Sequence, residues 1–197
     1  MRRVLLLAVL ALALPLAAYA DSSIDVANRG GTITGSSAGL SLTGSTLFAF
    51  GSAVGSNLGS VSFTTGAFIT GDAQLGGTLA AGGTFTITGN GTNGVPNGVI
   101  FSGTFTSTPT SPITWELKTL ANGTHNYVLT GGLVDANGHV GATTQITINT
   151  GKGSFNGSVS LSSGDTNLSV PEPGTLGLLG TGLLGIAGLM RRKLWSK

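Results

Sequence analysis

There is no cysteine in this chain of 197 residues. Disulfide staples are therefore excluded, and with them thiolate metal centres and thiol catalysis. A small exported domain often depends on such staples. A segment of about 150 residues does not, since it buries roughly 70% of its unfolded surface and can rest on one core. Charge is nearly as scarce, with Lys, Arg, Asp and Glu together making up 8% of the residues. Six of the nine cations, Arg2, Arg3, Arg191, Arg192, Lys193 and Lys197, lie at the two ends. Between Asp21 and Val170 only Arg29, Lys118 and Lys152 stand against Asp21, Asp25, Asp72, Glu116, Asp135 and Asp165, three against six, a net of −3. The formal charge of +2 thus belongs to the ends, the middle offers no basic patch for phosphates, and no nucleic-acid partner is expected.

The same middle segment shows no helical period, since apolar residues do not recur at three- and four-residue spacing. Instead it is rich in Gly, Thr, Ser and Asn and carries short alternating apolar runs between turn residues, the pattern of an all-β domain. The clearest strands are Ser60–Thr65, Thr84–Thr88, Val99–Thr106, Ile113–Lys118, Asn126–Thr130, Gln145–Asn149 and Ser158–Ser162. In Ile113–Lys118, Ile113, Trp115 and Leu117 fall on one face, with Thr114, Glu116 and Lys118 on the other. One buried face and one wet face suit an antiparallel sheet, so this middle segment is expected to be mainly β and antiparallel, sandwich-like. Asn122-Gly123 and Asn137-Gly138 each predict a hairpin through a type I′ turn. The stretch from Gly30 to Ala81 is richer in Gly and Ser, and its register is poorly specified.

Long apolar runs are confined to the termini. Arg2 and Arg3 precede an apolar stretch of eleven residues from Val4 to Leu14, then Pro15, then Ala18-Tyr19-Ala20. This is the pattern of a secretory signal peptide, residues 1–20, with an A-x-A site at Ala18 and Ala20. At the other end Val170-Pro171-Glu172-Pro173 leads into an uncharged run of sixteen residues, Thr175–Met190, and then Arg191, Arg192, Lys193 and Lys197. Each proline pushes the residue before it out of the helical region, so Val170 and Glu172 are expected to be extended. The run is short for a spanning helix, which takes about 20 residues, and the cations behind it place that end on the cytoplasmic side. Six glycines, Gly174, Gly177, Gly180, Gly182, Gly185 and Gly188, weaken the helix by about 1 kcal/mol each relative to alanine. A permanent anchor gains nothing from them, whereas close packing against another membrane protein does. The expected organisation is a signal peptide (1–20), an all-β passenger (21–165), and a linker with a sorting signal (166–197), whose hydrophobic helix is 175–190 and basic tail 191–197.

These three parts in this order resemble the PEP-CTERM sorting signal of Gram-negative bacteria. The resemblance rests on Val170, Pro171, Glu172 and Pro173, on the Gly- and Leu-rich run, and on Arg191 and Arg192, and it covers the tail alone. It implies recognition by an exosortase-type membrane enzyme, a transient stay in the inner membrane, and delivery to the cell surface or extracellular matrix among exopolysaccharide. The passenger is then expected to be structural or adhesive in that exopolysaccharide, as part of a biofilm matrix. The alternatives are a secreted hydrolase bearing the same signal, and a simple C-terminally membrane-anchored protein.

Other patterns in the passenger have plainer readings. Gly35-Ser36-Ser37-Ala38-Gly39 fits the G-x-S-x-G nucleophile elbow, but that elbow needs a strand-to-helix turn, and 34 glycines make such matches cheap. His125 and His139 are the only histidines, both beside hairpin turns and without partners at catalytic or ligand spacing. Asp135, Asn137 and Gly138 match the start of a calcium loop whose remaining oxygens are missing. Asn90, Asn122, Asn156 and Asn167 each begin an N-x-[ST] sequon, as expected in a chain dense in Asn-Gly turns. Trp115 and Tyr127 would stack on sugar rings if exposed, yet both lie on apolar strand faces and are expected in the core. No catalytic constellation, metal site or cofactor is expected, and the protein is read as a non-enzyme.

Overall fold

The computed structural model describes residues 22–170. The first half holds β1 (Ser22–Arg29), β2 (Thr32–Ser36), β3 (Gly39–Phe50), β4 (Ala53–Thr65), β5 (Phe68–Asp72), β6 (Gly76–Leu79) and β7 (Gly82–Asn90). The second holds β8 (Asn97–Thr106), β9 (Ile113–Thr119), β10 (His125–Asp135), β11 (Val140–Asn149), β12 (Ser158–Ser160) and β13 (Ser163–Val170). Among the described residues, no helix is long and apolar enough to cross a membrane.

The antiparallel, mainly β architecture anticipated from the alternation is present, and its two walls belong to one sheet that curls round on itself. The order β11-β13-β1-β3-β4-β7-β8-β10 is closed by a further pairing of β10 with β11, which makes a ring of eight strands. The wall forks at β10. Its first half, His125–Thr130, pairs with β9, and its second half, Gly132–Asp135, pairs with β8. From β9 the sheet continues through β6 to β5, while β2 and β12 branch from β3.

Period-two alternation puts the large apolar residues inside. Leu42 and Leu47 on β3, Val61 and Phe63 on β4, Phe85 and Ile87 on β7, and Ile146 and Ile148 on β11 are all buried. Phe63, Phe85 and Phe105 form one aromatic cluster, with Phe63 and Phe85 stacked at 6.0 Å and Phe105 edge-on to both. Trp115, Tyr127 and Phe155 form a second, with Trp115 and Tyr127 stacked at 5.3 Å. Buried indole and phenol groups need polar partners. The β5–β6 turn supplies them: Trp115 Nε1–H donates to Ala73 O at 2.9 Å and Tyr127 O–H to Gln74 O at 2.7 Å.

Outside, the polarity is the reverse of a membrane-spanning barrel, which turns apolar residues to lipid. The outward residues of β4, β7 and β8 include Ser60, Ser62, Thr64, Thr84, Thr86, Thr88, Ser102 and Thr104, beside the exposed Val54 and Val99. Register aligns Ser62 with Thr86 and Thr86 with Ser102, and Thr64 Oγ1 lies 3.1 Å from Thr84 Oγ1. β3, β4, β7 and β8 carry no charged residue.

Three expectations are corrected in detail. Residues 166–169 are not a linker: β13 runs to Val170, paired with β11 from Ser163↔Thr147 to Asn167↔Thr143, with Thr166 and Leu168 buried. Its inward face is Gly164, Thr166 and Leu168, and a single large apolar residue hides the alternation. Both Asn-Gly hairpins form, but neither turn is type I′. Gly123 and Gly138 have φ of +78° and +84°, whereas Asn93 is the one non-glycine of positive φ among the described residues. Gly123 N–H donates to Leu120 O at 2.8 Å and Gly138 N–H to Asp135 O at 3.0 Å, the pattern of a type I turn followed by a glycine bulge. Finally, the strand expected at Ser158–Ser162 stops at Ser160. There the chain crosses between elements, with Leu161 N–H bonded to Gly31 O and Ser162 N–H to Thr147 O.

Candidate functional site

The first and last described strands are neighbours. Seven antiparallel ladders connect β1 to β13 the long way round the ring, through β3, β4, β7, β8, β10 and β11. Seven reversals leave β13 opposed to β1, so their contact is antiparallel too. Across it Asn167 Nδ2–H donates to Asp25 Oδ1 at 2.9 Å. The start of β1 therefore lies beside the end of β13, and the described chain enters and leaves the barrel at one rim. Asp21, the residue after the expected Ala20 cleavage site, directly precedes β1, and Pro171 directly follows β13. Sequence reasoning missed this seam because its strands are joined by a contact spanning 142 positions.

Of the residues expected to carry the sorting function, Val170 is the last of β13. Pro171, Glu172, Pro173, Arg191 and Arg192 lie outside the described residues, as do Ala18 and Ala20.

The passenger's other candidates are placed apart. Ser36 pairs with Gly39, which leaves Ser37 and Ala38 as a two-residue hairpin loop between β2 and β3. The loop borders a depression whose lining joins Ala38 and Leu40 to Thr34, Ser36, Ser41, Thr64 and Thr65, so its polar side chains are hydroxyls rather than a base and an acid. His125 starts β10 and His139 follows its end, so they sit at opposite ends of that strand. His125 Nδ1 is 3.2 Å from Gly153 O. Trp115 and Tyr127 are fully buried. Among the described residues, no group of three or more His, Asp or Glu is arranged to hold a metal ion. At Asn90 and Asn122 the sequon letters serve local turns, since each Oδ1 accepts from the N–H and O–H of the threonine two residues on. Asn167 instead clasps Asp25.

The Asp135 carboxylate is committed to its own turn. Oδ1 accepts from the N–H groups of Asn137 and His139, each at 2.8 Å, and Oδ2 from the His139 ring Nδ1–H at 2.9 Å. The His139 ring bond above all, then the two backbone donors, hold its pKa at about 2, below the ordinary 3.8. A depressed folded-state pKa gives support that is present above the unfolded value of 3.8 and lost as pH falls through about 2. A carboxyl NMR titration should place the Asp135 midpoint near 2, and a midpoint at the ordinary value would contradict this geometry.

Residues 169–193 match the family model of the PEP-CTERM protein-sorting motif. The match takes in the last two residues of β13 and the tail beyond, and the rest of the barrel lies outside it. Neither a curated protein nor a solved structure matches the chain. The chain thus carries a motif that marks an exported protein for processing by an exosortase-type membrane enzyme, anchored in the membrane until that step.

Proposed function

We propose that the barrel is a non-catalytic component of the cell surface or extracellular matrix that holds exopolysaccharide, delivered by signal-peptide cleavage after Ala20 and exosortase processing of the tail. The observation that carries this reading is the outer surface of β4, β7 and β8, three adjacent strands without a charged residue on which Ser and Thr hydroxyls outnumber the exposed Val54 and Val99. A hydroxyl both donates and accepts, as a sugar hydroxyl does, so such a face meets a polyol without burying a charge. Each bond contributes only about 0.5–1.5 kcal/mol net, so retention comes from many contacts along a chain. Ser62, Thr86 and Ser102 form one row across three strands. Replacing all three with alanine should weaken co-sedimentation of the exported protein with the producer's own polysaccharide by about tenfold. Unchanged co-sedimentation would rule out this face as the site.

A further inference from the structure

The sorting motif and the barrel overlap, since the match begins at residue 169 and β13 ends at Val170. No spacer separates the fold from the segment to be processed. β13 lies between β11 and β1, so the backbone of its last residues is engaged in a strand ladder. The Asn167–Asp25 bond fastens the seam three residues before the strand ends. Enzymes that cut or transfer peptides commonly hold the substrate extended, through its backbone N–H and C=O groups, in the manner of an added strand. Those are the groups that β13 gives to the barrel, and they cannot serve both partners at once.

We infer that the β1–β13 seam is a gate on tail processing: the end of β13 must peel away from β1 before the enzyme can take the chain through Val170–Pro173. This rests on the exosortase reading above. Strand ends open at small free-energy cost compared with whole domains, so the gate sets a rate rather than forbidding the reaction. It also ties processing to the completeness of the fold, because the strand that closes the ring is the one that leads into the motif.

The lack of native cysteine allows a clean test. The Asp25 and Asn167 side chains meet across the seam at 2.9 Å, and residues facing each other on adjacent antiparallel strands lie about 4.5–5.5 Å apart at Cα, inside the range a disulfide spans. In D25C/N167C the two thiols have only each other to bond with inside the molecule, and the bond locks the seam. Tail removal from the full chain in the producing cell is followed by pulse-chase and intact mass. The locked pair should be trimmed about fivefold more slowly than the same protein with reductant added, while D25C and N167C singly show no reductant effect. A Gly/Ser linker of about ten residues closed by an added valine, placed between Val170 and Pro171 so that an intact Val-Pro-Glu-Pro segment follows the linker, should speed trimming about fivefold. Simple relief of crowding would reproduce the linker result but not the reversible slowing. Equal rates for locked and reduced protein, or no gain from the linker, would overturn the gate. Alanine at Pro171, Glu172 and Pro173 in the linker chain separates the two ideas: if that tail is still removed, the exosortase reading fails whatever the seam does. Should neither parent nor linker chain lose its tail, both fall.

Discussion

A chain in which Pro171, Glu172 and Pro173 are all replaced by alanine should leave the cytoplasm and keep its tail. The substitution leaves the barrel untouched, because β13 ends one residue earlier. It also leaves the sixteen-residue apolar run and the cations from Arg191 onward, so membrane insertion and orientation are preserved. What it removes is local. Two prolines fix φ at Pro171 and Pro173 and bias Val170 and Glu172 toward extended backbone, and Glu172 supplies the one carboxylate of the segment. Alanine has the highest helix propensity, so the replaced segment is free to join the helix expected beyond it. The expected product is a membrane-held barrel still ending in Arg191–Lys197, with no trimmed form in the medium. An identically trimmed product would show that the tripeptide is not what the processing step reads.

Trp115→Ala should be among the most damaging single changes in the barrel. The indole is 1% exposed, stacks on Tyr127 and meets Phe155 edge-on, and its N–H holds the β5–β6 turn through Ala73 O. Truncating a buried tryptophan costs about 3–5 kcal/mol through lost burial and the cavity left behind. Whole domains are stable by only about 5–15 kcal/mol, so a large share of the stability goes with it. For a domain of about 150 residues the thermal midpoint should fall by roughly 10 °C. Val99→Ala is the contrast, since Val99 is 66% exposed and its truncation should change stability by no more than about 0.5 kcal/mol. Far-UV circular dichroism against temperature measures both. Equal midpoints for the two variants would mean that Trp115 does not anchor the second aromatic cluster.

What the sequence made legible was local, and the structure shows why. β9 could be read because Ile113, Trp115 and Leu117 alternate with polar residues over a single strand. The hairpins β9–β10 and β10–β11 could be read because Asn-Gly marks a turn, although the same dipeptide serves both a primed turn and a type I turn with a glycine bulge. β3 and the first half of β4 were hidden by glycine. At Gly59, φ is +149° and a Cβ would collide with the Thr88 carbonyl, so glycine is the price of close strand approach there and not a sign of a loop. Closure of the ring was out of reach, because it depends on β13 meeting β1 across almost the whole chain, and no residue of either strand announces its partner. The candidate site divides in the same way. The tail's three unlike parts stand next to one another in sequence and could be recognised there. Its junction with the closing strand, and the Asp25–Asn167 clasp beside it, exist only once the barrel is formed.

Whether this exported barrel is addressed by a removable tail is decided by the intact mass of the protein recovered outside the producing cell. The species expected there begins at Asp21 and has lost the segment beyond Pro171–Pro173, leaving Trp115 as its one tryptophan because Trp195 departs with the tail. A mature species that retains Arg191–Lys197 would contradict it and leave a plain membrane anchor in its place.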